Sequence, residues 1–401
     1  MPDKLYNTLD DLDVNGKSVL VRADLNVPMN KDLQITDESR IKLAAPTLME
    51  LSARGARTIL ISHLGRPSGK SASQLSLRLV SESLSNALGG IDIMFANSCI
   101  GASAQEVSRA VEPGDFALLE NLRFHRGEEA NDPHFAAKLS ALGEIYINDA
   151  FSTSHRPHAS VVGVPALLPN AAGRLMQAEL DALSRVLSHP DPPAMAIIGG
   201  AKISTKLKLI GNLIDHVEVI AIGGGMANTF LYAQGIEIGT SICEPGMADE
   251  ARAILARATA NSCEILLPID AMTLKNRGVN ETPQILPMRL IAPDTRILDI
   301  GPASTNLVSN RMSDCRTLLW NGPMGMFETP PFDTSTNFLA HKTAAMTQTG
   351  SLVSVAGGGD TLAALKHSGT DAQFTYVSSA GGAFLEWLEG GSLPGVEALK
   401  T

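Results

Sequence analysis

Short apolar runs alternate with helix-patterned segments along the whole chain, and the runs end in glycine or in clusters of charged and amide side chains. In the first half the runs Ser18–Ala23, Thr58–Ser62, Phe116–Glu120 and Glu144–Asn148 lead into RADLNVP, SHLGRP, ENLRFHRGE and INDAFSTSHRPH. In the second half Ala194–Ile198, Val217–Ile222, Glu264–Ile269, Thr295–Ile300, Thr317–Trp320, Leu352–Ala356 and Phe374–Ser378 are read as strands. There the punctuation is glycine: GGAK at 199–202, GGGM at 223–226, GP at 301–302, NGPMG at 321–325 and GGGD at 357–360. Apolar strands without alternation, separated by helices, predict an α/β fold with parallel sheets covered on both faces. Such sheets bind ligands beyond the carboxyl ends of their strands. One half therefore offers basic side chains there. The other offers backbone N–H groups and helix N-termini, which favour phosphates.

At 401 residues the chain exceeds what one core fills, so two domains are expected. LMQAELDALSRVL, over Leu175–Leu187, reads as a helix stopped by His189-Pro-Asp-Pro-Pro193, and makes the natural joint. No apolar run reaches the length of about 18 residues that suggests a spanning helix. The acidic N-terminal stretch lacks the apolar core of a secretory signal. Cys99, Cys243, Cys263 and Cys315 lie far apart, which fits free thiols in a reducing cytoplasm. A net charge of −10 argues against nonspecific nucleic-acid binding.

Arg22, Asp24 and Asn26 follow the first strand, His63 and Arg66 the second, Arg123 and His125 the third, His155, Arg156 and His158 the fourth. Arg40 opens a helical segment with Thr36 or Asp37 as its cap. A lone arginine usually makes a surface ion pair; four strand ends carrying cations along one sheet edge describe an anion pocket. His155 and His158 are a weak metal signal. Gly65-Arg-Pro-Ser-Gly69-Lys70-Ser71 imitates a P-loop with one residue too few between its glycines, and Pro67 removes a donor. In the second half Ile203, Leu207, Ile210 and Ile214 are expected to share a buried helical face. Lys202 and Lys206 then repel at i,i+4 unless an anion lies between them. Asn228 occupies the third-glycine position of a dinucleotide fingerprint, which disfavours a nicotinamide site. Asp360, in GGGDT, is either a helix cap or a carboxylate for Mg²⁺ beside phosphates.

The ordered set VRADLNVP, ITDESRI, SHLGRP, ENLRFH, NDAFSTSHR, GGAKISTK, GGGMANTF, DIGP, WNGPMGMFE, GGGDT and LEGGSLPGV closely resembles the phosphoglycerate kinase family, from Val19 to about Val396. The resemblance implies two Rossmann-like three-layer αβα domains with parallel sheets, joined by a hinge helix. It implies a 3-phosphoglycerate-binding domain over 1–171, an interdomain helix over 172–189, a nucleotide-binding domain over 190–386, and a tail over 387–401 returning to the first domain. The activity implied is reversible phosphoryl transfer between 1,3-bisphosphoglycerate and ADP, a glycolytic reaction, by a cytoplasmic monomer without nucleic-acid or membrane partners. Matching substrate positions are Asp24, Asn26, Arg40, His63, Leu64, Gly65, Arg66, Arg123 and Arg156. For Mg²⁺ with ATP or ADP they are Lys202, Lys206, Asn321, Glu328, Gly358, Gly359, Asp360 and Thr361, with Asp360 facing the metal and Glu328 the ribose. Arg40 and Lys206 would stabilise the moving phosphoryl group. Ser152 and the turn Ser378-Ser379-Ala380 depart from the family's more glycine-rich pattern. Two other readings remain at this point: a P-loop phosphotransferase, and a non-catalytic two-domain phosphate-ligand binding protein.

Overall fold

In the computed structural model, which describes residues 6–275 and 282–400, the chain divides into two compact units. One comprises Met1–Leu180 with Ser392–Thr401, the other Asp181–Gly391. Residues 1–5 and 401, the outer ends of the expected first and last segments, lie outside the described residues.

The first unit is built on strands β1 (Ser18–Ala23), β2 (Arg57–Ile61), β3 (Ile93–Ala96), β4 (Phe116–Leu119), β5 (Ile145–Asp149) and β6 (Asn170–Ala172). Their order is β3-β4-β2-β1-β5-β6, with every pairing parallel. β4 and β5 are buried at every position, as strands covered on both faces require. One core joins Val19, Val21, Leu60, Leu118 and Ile147 to Ile41, Leu48 and Leu51 of the helix Ser39–Ala53. The edge strand β3 escapes the sequence reading because only Ala96 of it is buried. β6 escapes it because it is three residues long and follows a proline-containing turn.

The second unit contains β7 (Ala194–Ile198), β8 (Val219–Ile222), β9 (Glu264–Leu266), β10 (Asp270–Lys275), β11 (Gln284–Pro287), β12 (Thr295–Ile300), β13 (Thr317–Asn321), β14 (Val353–Gly357) and β15 (Tyr376–Ser378). The main sheet runs β15-β14-β13-β7-β8-β9, again parallel throughout. Thr295–Ile300 corrects the expectation of parallel strands only. It pairs antiparallel with β10 in a separate three-stranded sheet, β11-β10-β12. Two of those strands leave no continuous apolar run: β10 alternates in burial and β11 is largely exposed.

Both large sheets reverse their order beside the first strand of the unit, at β1/β5 and at β7/β13. Such switch points open a crevice at the carboxyl ends of the strands.

The helix Arg174–Leu183 starts where Asp149, at the end of β5, accepts the Leu175 and Met176 amides at 2.9 and 3.2 Å. Those are orphan donors of a helix N-terminus. The segment read as one helix to Leu187 widens into a π turn over Ser184–Ser188 before the prolines. Ile203, Leu207, Ile210 and Ile214 do not share one α-helix either. Ile203–Thr205 is a 3₁₀ turn, and the α-helix begins at Leu207 with Lys206 as its cap. Leu209 is buried there and Leu207 only half-buried. The tighter turn shifts the helical phase, so Lys202 and Lys206 are not i,i+4 neighbours on one α-helix.

Candidate active site

At the β1/β5 switch point, buried charge is held by side chains. Arg22, 1% exposed, donates through Nε to Ser160 Oγ at 3.1 Å, through Nη1 to the Ala23 carbonyl, and lies 3.0 Å through Nη2 from His63 Nδ1. Asp24 accepts from the Asn26 amide at 3.1 Å, from Arg40 Nη1 and from Ser152 Oγ. Burial pushes the Asp24 carboxyl up, but Arg40 and the Ser152 hydroxyl are among the groups that outweigh it and hold it below its ordinary value. Ser39 N and Oγ donate to Asp37, which sits just before the helix carrying Arg40; the cap position itself is Glu38 rather than Thr36 or Asp37. Asn26 Oδ1 takes the Gly65 amide at 2.8 Å, and the Gly65 carbonyl takes Arg123 Nη1 at 2.8 Å. Buried Leu64 offers its carbonyl to Asn121 Nδ2 at 2.7 Å.

These bonds tie Asp24, Asn26, Arg40, His63, Leu64, Gly65 and Arg123 into one region. Arg66 is exposed on the same loop and Arg156 half-buried beyond β5. The cations oppose one another. Burial, Arg22 and Arg156 bring Arg123 down to about 10, and burial with Arg123, Arg156, Arg22 and His155 brings His158 down to about 4. Such mutual repulsion is relieved by an anion of more than one charge. The imitation P-loop at Gly65–Ser71 leads into a 3₁₀ turn at Ser73–Leu75, not the α-helix whose N-terminus a phosphate cradle uses.

At the β7/β13 switch point the approach is between backbones. A Cβ on Gly199 would sit 1.8 Å from the Pro323 carbonyl oxygen, and one on Gly322, whose φ is +105°, would sit 2.2 Å from the Gly199 oxygen. No other residue allows these loops to lie so close. Asn321 donates to the Gly357 carbonyl at 2.6 Å and accepts from Lys206 Nζ. Thr361 Oγ1 accepts the Gly322 amide at 2.7 Å and donates to the Gly357 carbonyl at 2.8 Å. Thus Lys206, Asn321, Gly358 and Thr361 gather at one spot, with Gly359 opening the helix Gly359–Ser368. Burial lowers the basicity of Lys206, against the pull of Asp360 and Glu389. Lys202 is exposed, on the strand-to-helix loop.

Beside this spot lies a cavity of about 470 Å³ whose wall includes Glu328 and Asp360. The remaining wall is largely apolar, with Ile242, Leu298, Met324 and Phe327. Sequence reasoning missed those four. Met324 and Phe327 lie in the apolar tail of WNGPMGMFE and Leu298 in the run Thr295–Ile300, both of which read equally well as core; Ile242 carries no signal of its own. It also missed Ser152 as a partner of Asp24, and Ser160 and Glu128 behind Arg22 and His63. Asp360 is the second residue of its helix rather than its cap, which leaves its exposed carboxylate available. The cavity's other aspartate, Asp299, is committed to the Ser335 amide and hydroxyl and to the Ile300 amide. One uncommitted carboxylate beside a helix N-terminus fits Mg²⁺, which takes one or two carboxylates and completes its shell with phosphate oxygens and water.

Comparison with known proteins gives the family. The family model described as phosphoglycerate kinase matches residues 9–391. A phosphoglycerate kinase from Rhodospirillum centenum is 53% identical over 394 residues, covering 98% of this chain and 99% of its own. One from Granulibacter bethesdensis is 52% identical over 396 residues, covering 99% and 100%. Among solved structures, phosphoglycerate kinase from Coxiella burnetii superimposes with a TM-score of 0.91 at 38% identity, over 98% of each chain. That from Pyrococcus horikoshii gives 0.78 at 28% identity, also over 98% of each. Two parallel-sheet units, a site of buried cations in one and a glycine-lined cavity in the other, and a match over nearly the whole length lead to one statement: this chain belongs to the phosphoglycerate kinase family, phosphotransferases that move a phosphoryl group between a carboxyl group and a nucleotide.

Proposed function

We propose that Asp24, Asn26, Arg40, His63, Leu64, Gly65, Arg66, Arg123 and Arg156 hold 3-phosphoglycerate or 1,3-bisphosphoglycerate. In the same reading Lys202, Lys206, Asn321, Glu328 and Gly358–Thr361 hold ATP or ADP. The observation that carries it is the contrast at the two switch points: buried Arg22 and Arg123 converging with Arg40 and His63 at one, close-packed backbone beside an apolar-walled cavity at the other. The first suits a small polyanion. The second suits a flat base with a phosphate chain at a helix N-terminus.

The phosphoryl group passes directly from one ligand to the other, in line. The acceptor carboxylate of 3-phosphoglycerate is ionised near neutral pH, so no general base is required. Arg40 meets the transferring group from the substrate side and Lys206 from the nucleotide side, where charge spreads over the equatorial oxygens. Asp360 would hold the Mg²⁺ that neutralises phosphate charge. In this reading residues 1–171 form the phosphoglycerate domain, 172–189 the connecting helix, 190–386 the nucleotide domain, and 387–401 the returning tail. The ligands belong to different domains, so transfer requires a closing step. A cytoplasmic monomer completes the proposal; all four cysteines are free, as suits a reducing compartment. Among the described residues no helix is long and apolar enough to cross a membrane.

A coupled assay for ATP-dependent consumption of 3-phosphoglycerate, run on wild type and on Arg123→Ala, tests the site assignment. The variant is expected to lose 3-phosphoglycerate affinity and keep ATP affinity. Loss of ATP affinity instead would refute it. Solution scattering tests closure: both ligands together are expected to reduce the radius of gyration more than either alone, and an unchanged profile refutes the step.

A further inference from the structure

Behind His63 lies a buried polar chain that the phosphoryl-transfer reading does not use. The Arg22 guanidinium is anchored twice, by Nε to Ser160 Oγ and by Nη1 to the Ala23 carbonyl. Its Nη2 is left facing His63 Nδ1 at 3.0 Å. Ser160 in turn donates from Oγ to Glu128 Oε1 at 2.6 Å and from its amide to Glu128 Oε2 at 3.0 Å. Tyr146 fixes the Ser160 backbone by donating to its carbonyl at 2.6 Å. Glu128 and Tyr146 are both 0% exposed, so that end of the chain is shielded from bulk solvent. The charge of Arg22 is thus balanced through a serine hydroxyl rather than by direct contact.

A guanidinium donates only and never accepts. A 3.0 Å approach of Nη2 to Nδ1 therefore requires a lone pair on Nδ1. We propose that Arg22 is a positioning residue that holds His63 neutral with its proton on Nε2, so that His63 meets the bound phosphoglycerate as an uncharged donor rather than as a cation. The proposal rests on the reading above that His63 contacts that ligand. The charged groups bearing on His63 act mostly one way: burial, Arg22, Arg123 and Arg40 disfavour its protonation, and Asp24 alone favours it. A neutral donor has a purpose in this setting. Arg22, Arg40, Arg123 and Arg156 already supply cations, and a further buried one would raise their repulsion without the ligand and make affinity depend on pH.

The test begins with long-range ¹⁵N–¹H spectra of the histidine rings in the ligand-free protein. The chain has 9 histidines, and His63→Asn assigns the signal. The expected result is a neutral, Nε2-protonated His63 from pH 6 to 8. An Nδ1-protonated or cationic ring in wild type overturns the proposal, with no variant needed. In Arg22→Met the ring is expected to gain a proton on Nδ1 and to become protonated at higher pH than in wild type. The ratio of variant to wild-type KM for 3-phosphoglycerate then falls about tenfold from pH 8 to pH 6, as one added charge allows, while the KM for ATP does not change. Arg22→Lys restores a donor toward Nδ1 and is expected to restore the wild-type ring spectrum. An unchanged spectrum in Arg22→Met overturns the role of Arg22. If Arg22→Met does not fold, Arg22→Met with Glu128→Gln removes both buried charges and serves in its place. If the wild-type spectrum is as expected but His63→Asn binds 3-phosphoglycerate normally, the substrate reading falls and the tautomer assignment stands.

Discussion

The two units place their sites at the same topological position and build them from opposite materials. At β1/β5 the crevice is filled by side chains: Arg22 against His63, Arg40 against Asp24, and Arg123 held by the Gly65 carbonyl. At β7/β13 it is formed by backbone, where Gly199 and Gly322 let two loops touch. The difference teaches that a switch point supplies a place and not a chemistry. A small, highly charged ligand is gripped by forks and charges whose geometry the neighbours enforce. A long phosphate chain on a flat base is met by amide groups, a helix N-terminus and an apolar wall. It follows that the first site fails when a side chain is removed and the second when a Cβ is added.

The sharpest way to break this contrast is Arg40→Ala. With Arg40 acting on the moving phosphoryl group, kcat is expected to fall by roughly three orders of magnitude, as for loss of a charge-stabilising group. Nucleotide affinity is expected to stay as in wild type. Steady-state kinetics with nucleotide titration decide it, and a normal kcat with only weaker substrate binding would contradict the role.

Next in size is Gly322→Ala. Its φ of +105° and the Gly199 oxygen at 2.2 Å from the added carbon leave no room. A destabilisation of about 2–4 kcal/mol is expected from strain and displaced backbone together. Thermal unfolding followed alongside ATP titration should show nucleotide affinity lost while 3-phosphoglycerate binding persists below Tm. Wild-type nucleotide affinity in this variant would remove the backbone half of the comparison.

Lys206→Ala against Lys202→Met asks whether any side chain matters at the glycine-built site. Lys206 is partly buried and bonded to Asn321, whereas Lys202 is exposed. Lys206→Ala is expected to lower kcat about 100-fold and Lys202→Met about tenfold or less, within the range for one charge contact. Equal losses would refute the ranking.

The last effect is a pH slope. Burial raises the Asp299 carboxyl to about 7, against the hydrogen bonds from Ser335 and Ile300. A carboxyl with a raised folded-state pKa binds its proton more tightly folded than unfolded. Its stabilisation is therefore complete below about pH 4, the ordinary aspartate range, and is lost as pH rises toward about 7. Replacing it by Asn should remove a slope of at most about 1.4 kcal/mol per pH unit in that window. Denaturant unfolding of wild type and Asp299→Asn at several pH values checks this; parallel curves would show that Asp299 does not carry the slope.

Much of this molecule is legible in the chain. β1 and β7 begin and end where apolar runs do, because a doubly covered strand is apolar at nearly every position and needs no partner to be recognised. β10 and β11 were not legible, since β10 is only partly buried and β11 largely exposed, so neither leaves a continuous apolar run. Arg40, His63, Arg123 and Asp360 could be picked out as chemistry-bearing residues at strand ends or helix starts. Ser152 could be noticed only as a departure from a glycine pattern; its bond to Asp24 spans 128 residues.

The sequence by itself determined the two-unit α/β architecture, the cation-bearing strand ends and the glycine loops. These depend on local pattern: apolar runs, helix starts and turn residues act over a few neighbours. Only the tertiary structure decided which groups meet. It joined Arg22 to His63 across 41 residues and set Gly199 against Pro323. It also committed Asp299 to Ser335 while leaving Asp360 exposed. Distance and burial govern hydrogen bonding and charge, and neither is a property of a residue in the chain; both arise when parallel strands bring remote segments to one edge.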